Sequence, residues 1–181
     1  MILFFGPAGA GKSVQGHMLA EQLHWKWLST GEMFRESTDP EVQQILKTGA
    51  LVSDEKTYQV VEEAFGKAKD FKRLIVDGFP RTQAQATWLM DTNNTYGRQI
   101  AMVIVLEVPD AEIQERLSHR GREQDTPEII AERLELYRRE TDPILGYFGQ
   151  KNITIARVDG TGTVDEIHQR IVQQIEANNL V

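Results

Sequence analysis

Apolar residues gather in short uninterrupted runs at 2–5, 74–76, 102–108 and 153–158, with a weaker pair at Trp27-Leu28. Runs of this length without polar alternation read as strands buried on both faces. Between them apolar positions recur every three or four residues. That spacing predicts helices over 13–23, 31–37, 41–47, 54–68, 83–93, 110–119, 127–148 and 163–177. Several carry start signals. Ser53-Asp54-Glu55 opens one and Pro109-Asp110 another. Thr126-Pro127-Glu128 sets a capping hydroxyl, then proline at the first helical position, then an acid. Strands alternating with helices build βαβ units. The pattern therefore predicts an α/β three-layer sandwich, with a central parallel five-stranded sheet and helices on both faces. The stretch 29–53 differs: two short helices and a Gly49-Ala50-Leu51-Val52 connector, with no strong strand. It reads as a small helical insert over the sheet, a usual place for a second substrate.

Composition narrows the function. A chain of 181 residues is one domain, and 40% hydrophobic residues suffice for a core. The formal charge of −7, without a block of like charges, argues against nucleic acid as a partner. The absence of cysteine removes disulfides, thiolate zinc sites and a cysteine nucleophile, so no zinc is expected. The first residues lack a basic region, their apolar run is too short for a signal peptide, and no segment approaches a membrane span. A cytoplasmic protein without a membrane partner is the expectation. His17, His24, His119 and His168 form no ligand spacing, and Trp25, Trp27 and Trp88 read as packing residues.

Chemistry enters at Gly6-Pro7-Ala8-Gly9-Ala10-Gly11-Lys12-Ser13, a full G-x-x-x-x-G-K-[ST] phosphate-binding loop. It lies between a predicted strand and a predicted helix, the context that makes the pattern a site and the sheet P-loop NTPase-like. Its glycines let backbone N–H groups turn around phosphate oxygens, and the helix start adds its positive dipole end. Lys12 can reach the terminal phosphates, and the Ser13 hydroxyl a magnesium ion. The chain is thus expected to bind a nucleoside triphosphate or a close relative.

The arginines extend the site. Arg133 has only apolar helical neighbours at three and four residues: Ile129, Ile130, Leu136 and Tyr137. A guanidinium on that stripe needs an anion from elsewhere, either a distant carboxylate or a ligand. Arg116 and Arg120 share a helix face and Arg122 follows two residues later. Three clustered arginines suit phosphates, which accept paired contacts from planar guanidinium groups. Asp77 ends the strand 73–77, where an acid can hold magnesium or its waters. Gly78-Phe79-Pro80-Arg81 then carries Arg81 over the same edge of the sheet.

Taken in order, the loop, Ser29-Thr30-Gly31-Glu32-Met33-Phe34-Arg35, Gly49-Ala50-Leu51-Val52-Ser53-Asp54-Glu55, Asp77-Gly78-Phe79-Pro80-Arg81-Thr82-Gln83-Ala84-Gln85 and the arginines resemble adenylate kinase, of the nucleoside monophosphate kinases. The resemblance runs over nearly the whole chain, and Asp-Gly-Phe-Pro-Arg is highly specific to these kinases. It implies one kinase domain over 1–181, with an NMP-binding insert at 29–58 and a minimal residual lid at 120–126. It implies an ATP site of Gly9, Ala10, Gly11, Lys12, Ser13, Val14, Arg116, Arg120 and Gly162, with the turn at Gly160 and Gly162 beside the adenine. The AMP site would comprise Thr30, Arg35, Ala50, Leu51, Val52, Gly78, Phe79, Pro80, Arg81 and Gln85, with Arg122 and Arg133 bridging the exchanged phosphates. Lys12, Arg81, Arg120, Arg122 and Arg133 would be catalytic. Mg²⁺ would sit at Ser13 and Asp77, partly through water. Thr30 and Gln85 favour AMP over UMP or CMP, because pyrimidine-preferring members tend to carry alanine and asparagine there. The implied reaction is ATP + AMP to 2 ADP.

The chain also departs from the family pattern. Ser13-Val14 stands where Gly-Thr is usual, and Ala50 where lysine is frequent. Gln124 replaces one of two usual aspartates, leaving Asp125. Only Gly121 separates Arg120 from Arg122, where most relatives carry an inserted lid. Lids exclude water, so the insert or a neighbouring subunit would have to close the ATP site, which leaves a homo-oligomer open. Two rival readings stand beside this one: a UMP/CMP-type or other small-molecule kinase, and a nucleotide-dependent assembly factor with weak ATPase activity.

Overall fold

A computed structural model describes residues 1–67, 73–95, 97–122 and 125–180. Five parallel strands form one sheet: β1 (Ile2–Phe5), β2 (Lys26–Ser29), β3 (Leu74–Asp77), β4 (Met102–Glu107) and β5 (Ile155–Asp159), in the order β2-β3-β1-β4-β5. Alternate residues along each strand enter opposite layers. Leu3, Phe5, Val103 and Val105 pack with Val61, Phe65, Leu89, Ile144 and Phe148 on one face. Ile2, Phe4, Ile104 and Leu106 pack with Leu19, Ile167, Ile171 and Ile175 on the other. The predicted three-layer sandwich is present.

The covering helices are α1 (Lys12–Leu23) and α9 (Val164–Ala177) on the second face, and α4 (Asp54–Lys67), α5 (Gln83–Thr95) and α8 (Pro143–Gln150) on the first. Position 68, the expected end of α4, lies outside the described residues. Over the carboxyl edge of β2 stand α2 (Thr30–Glu36) and α3 (Pro40–Thr48), which share a small core of Phe34, Val42 and Val52. At the opposite end α6 (Asp110–Arg120) and α7 (Pro127–Leu136) pack through Ile113, Leu117, Ile130 and Leu134. Because every strand runs the same way, the turns after β1, β2, β3 and β5 meet along one edge. In register, Ser29 of β2 and Phe4 of β1 both lie beside Asp77 of β3.

One predicted element is corrected. The helix expected over 127–148 is interrupted by a π-helical turn, Tyr137–Thr141. Pro143 has no N–H and its ring crowds the carbonyl four residues back, so an α-helix cannot run through it. The Asp142 N–H instead donates to the Tyr137 carbonyl, five residues back, at 2.9 Å. The extra residue turns Thr141 toward the cleft, where its Oγ1 donates to the Arg81 carbonyl at 3.0 Å.

Among the described glycines, Gly16 on α1 leaves the least room for a side chain. A Cβ there would stand 1.9 Å from Cζ3 of Trp27, whose Nε1 donates to Glu32. Gly16→Ala is therefore expected to destabilise the protein by roughly 1–3 kcal/mol through overpacking. Combining it with Trp27→Leu should recover most of that loss, a non-additivity that urea denaturation of the two single variants and the double variant would measure.

Candidate active site

A cleft of about 580 Å³ follows the carboxyl edge from the phosphate-binding loop to the turn after β3. The loop lies flat against α6. Gly9 has φ +86°, and a Cβ on it would come within 2.8 Å of Leu117. No side chain caps α1, so its first N–H groups face the loop. Lys12 Nζ donates to the Gly6 and Pro7 carbonyls at 2.7 and 2.9 Å. An ammonium has three hydrogens, so one remains for an anion. Burial pushes the Lys12 pKa down, and Arg81 and Arg120 add to that against the pull of Asp77.

Asp77 is buried and anchors two hydroxyls. Its Oδ2 accepts from Ser29 Oγ at 3.3 Å and Ser13 Oγ at 3.4 Å. Its Oδ1 is buried and has no hydrogen-bond partner among the described residues. A carboxylate oxygen without a donor, beside a hydroxyl, fits a hard cation such as Mg²⁺. Among the described residues no three histidine or acidic side chains converge, so such an ion would complete its shell with phosphate and water oxygens.

Arg81 stands over the same turn. Gly78 has φ +77°, and a Cβ there would lie 2.6 Å from Thr30 Oγ1. The Gly78 carbonyl accepts from both Arg81 Nε, at 2.8 Å, and Thr30 Oγ1, at 2.7 Å. Thr30 is thus buried behind the turn with its hydroxyl hydrogen engaged, and it does not line the cleft. Ala10 is likewise buried, and its carbonyl accepts from Arg116 at 3.5 Å. Gly160 does not border the cleft either, while the other residues expected at the site do.

Arg116 ties three pieces together. It pairs with Glu112 one turn back, contacts Ala10 of the loop, and donates to the Gly160 carbonyl after β5 at 2.7 Å. Beside that turn, Val14 and Val164 are half exposed and border the cleft.

Arg120 and Arg133 are both held by one acid between α6 and α7. Asp125 accepts two hydrogen bonds from Arg120, each 2.8 Å, and one from Arg133 at 3.2 Å. Its side chain is 1% exposed. This is the anion that Arg133 lacked on its own helix. In the sequence this acid stood out as the aspartate left beside Gln124, shortly before the cap of α7, with no partner assigned to it. Burial alone pushes the Asp125 carboxyl up, but the Arg120 hydrogen bonds and the charges of Arg120, Arg133 and Arg122 outweigh it and hold the pKa below the usual range. Arg133 also supports the insert, with Nε 3.1 Å from where a Gly49 Cβ would stand. Gln124, the other departure noted near Asp125, lies outside the described residues.

Arg35 and Arg122 complete the ring. Neither guanidinium makes a hydrogen bond or ion pair with another described residue, although Glu32 lies within electrostatic reach of both. Burial pushes both pKa values down, and the charge of Arg120 adds to this on each. Burial also lowers Arg81 and Arg133, each with a further contribution from a neighbouring arginine. Apart from Arg116, which has its own partner in Glu112, six cations therefore gather at the cleft with Asp77 and Asp125 as their carboxylates, an arrangement suited to polyanions.

Asp125→Asn should cost about 3 kcal/mol at neutral pH, because two arginines lose their counter-charge. The folded pKa of Asp125 lies below its unfolded value, so its contribution is complete above the unfolded pKa and disappears as pH falls through the folded one. The stability difference between parent and variant should accordingly shrink below about pH 4, as urea melts across pH 3–7 would test.

Comparison with known proteins finds relatives over nearly the whole chain. The family model described as Adenylate kinase matches residues 4–153. A protein named adenylate kinase from Thermus thermophilus is 37% identical over 180 residues, covering 94% of each chain. One from Maricaulis maris is 38% identical, covering 97% of this chain and 98% of its own. One from Micrococcus luteus is 36% identical, covering 96% and 89%.

Proposed function

The chain belongs to the adenylate kinase family, and from that premise we propose that this cleft carries the family's reaction, ATP + AMP to 2 ADP, through the residues described above. The observation that carries the assignment of residues is the convergence of Lys12, Arg35, Arg81, Arg120, Arg122 and Arg133 on one edge of the sheet.

Phosphoryl transfer needs alignment and charge neutralisation more than a chemical base. An AMP phosphate oxygen attacks the γ-phosphorus of ATP in line. The bond from that phosphorus to the bridging oxygen breaks, and its electron pair leaves on ADP. No protein group becomes a covalent intermediate. Lys12 and the loop hold the ATP phosphates. Arg81, Arg120, Arg122 and Arg133 spread the charge of the transition state, aimed beforehand by the Gly78 carbonyl, Thr141 and Asp125. Mg²⁺ held by Ser13 and Asp77 would add charge neutralisation at the phosphates. The ATP base rests by Val14, Val164 and the turn at Gly160 and Gly162. Arg35 and Arg81 take the AMP phosphate, the backbone of Ala50, Leu51 and Val52 borders its base, and Gln85 faces that base. No helix among the described residues is long and apolar enough to cross a membrane.

The short connection between α6 and α7 leaves closure to the insert. Arg35 on α2 and Arg122 on the remnant influence each other electrostatically. A phosphate between them turns their repulsion into a bridge and draws the insert over the cleft. Retention of every phosphate-facing cation weighs against a pure assembly factor, which would not need all of them.

ADP formation from ATP with AMP, CMP, UMP, GMP or no acceptor tests the reading. Fast ADP formation with AMP alone is expected; the same slow rate with every acceptor would mean hydrolysis only and overturn it. Arg81→Lys should lower kcat by about 10²–10³ through loss of the planar fork. The rise in Tm on adding ATP should persist in that variant.

A further inference from the structure

The Gln85 side chain is buried and its amide is pinned at both ends. Its Oε1 accepts the Arg81 backbone N–H at 2.7 Å, and its Nε2 donates to Asp54 Oδ1 at 2.7 Å. Thr82 Oγ1 donates to the same Asp54 oxygen at 3.3 Å and accepts the Gln85 backbone N–H at 3.2 Å. The two ends of a glutamine amide are nearly the same shape, so shape does not decide which way it faces. Its neighbours do. A backbone N–H only donates, and a carboxylate only accepts. Turning the amide over would set Oε1 against Asp54 and Nε2 against the Arg81 N–H, two repulsive contacts in a buried site.

Each end of the amide keeps capacity for a second hydrogen bond, and Gln85 borders the cleft. Acceptor and donor side by side complement a 6-aminopurine: the exocyclic N–H gives to Oε1, and ring N1 accepts from Nε2. A 6-oxopurine presents the reverse, an acceptor at O6 and a donor at N1, and needs the amide turned over. We propose that Asp54 is the positioning residue that fixes the orientation of the Gln85 amide, and thereby sets the preference of the acceptor site for 6-amino over 6-oxo purine monophosphates. The inference rests on the reading that Gln85 faces the acceptor base. Asp54 is the first residue of α4, in the insert, and Gln85 lies on α5. The recognition edge is therefore made jointly by two elements.

The test is kcat/KM for AMP and for IMP in the parent, Asp54→Asn, Asp54→Ala and Gln85→Leu, with Tm for each. Where IMP turns over too slowly, its inhibition constant against AMP serves. Asp54→Asn keeps the shape, and its own amide can meet either orientation of Gln85. The AMP-to-IMP ratio is expected to fall on the order of tenfold in both Asp54 variants, with the loss for AMP in KM rather than kcat. A residue that only held the fold would lower Tm and depress both substrates by the same factor. A ratio within about twofold of the parent in Asp54→Asn, while Gln85→Leu collapses it, would overturn the role of Asp54. An unchanged ratio in Gln85→Leu would instead remove the reading that Gln85 faces the base, and the inference with it.

Discussion

Positive charge concentrated in a half-buried cleft is unfavourable, and the architecture around this edge of the sheet answers that constraint. Lys12, Arg81 and Arg133 would repel one another and drift into solvent on a flexible surface. Here each is tied by a hydrogen-bond acceptor: the loop carbonyls for Lys12, the Gly78 carbonyl for Arg81, and Asp125, shared with Arg120, for Arg133. These ties hold the charges in place without cancelling them. With Arg116 and its partner Glu112 set aside, two buried carboxylates against six cations leave an excess suited to a polyanion. The same excess selects the ligand and favours the transition state, where phosphoryl charge is most widely spread.

The supports come from distant parts of the chain because the sheet is parallel. Its carboxyl ends bring together the loop after β1, Ser29 after β2, Asp77 and Gly78 after β3, and Gly160 after β5. Arg116 alone joins α6, the loop and the last turn. The π-helical turn does similar work from the opposite side. One extra residue ahead of Pro143 lets Thr141 hold the Arg81 carbonyl, so a break in helix regularity becomes a contact at the site.

The parts of this design that were legible in the sequence are those with a local cause. Continuous apolar runs gave the buried strands, and β2 was faint because Lys26 and Trp27 lie on an edge strand with one side open. The phosphate-binding loop was legible because its glycines, lysine and hydroxyl must be consecutive. Arg133 was legible as a cation without a local partner. Its pairing with Asp125 was not, although that acid had been noted, since the pairing depends on the packing of α6 on α7 that brings Arg120 and Arg133 together. The break at Tyr137–Thr141 was missed for a related reason: apolar spacing slips by one residue through a π turn and still looks helical. Thr30 was legible as a candidate at the acceptor site, but not the bond its hydroxyl gives to the Gly78 carbonyl, which depends on β2 lying beside β3.

Electrostatic recognition of this kind is indifferent to the base, because phosphates look alike on every nucleotide. Selectivity must come from a group whose donor and acceptor are fixed relative to the phosphate site. Gln85 meets that requirement through the same turn that aims Arg81: its Oε1 accepts the Arg81 N–H, while the Arg81 side chain returns to Gly78. The charge proposed to bind phosphate and the amide proposed to face the base thus share one backbone segment. A shift in that segment would move both together. Asp54 restrains the amide from outside the segment, so under the proposed assignment base preference can change there while Arg81 stays in place.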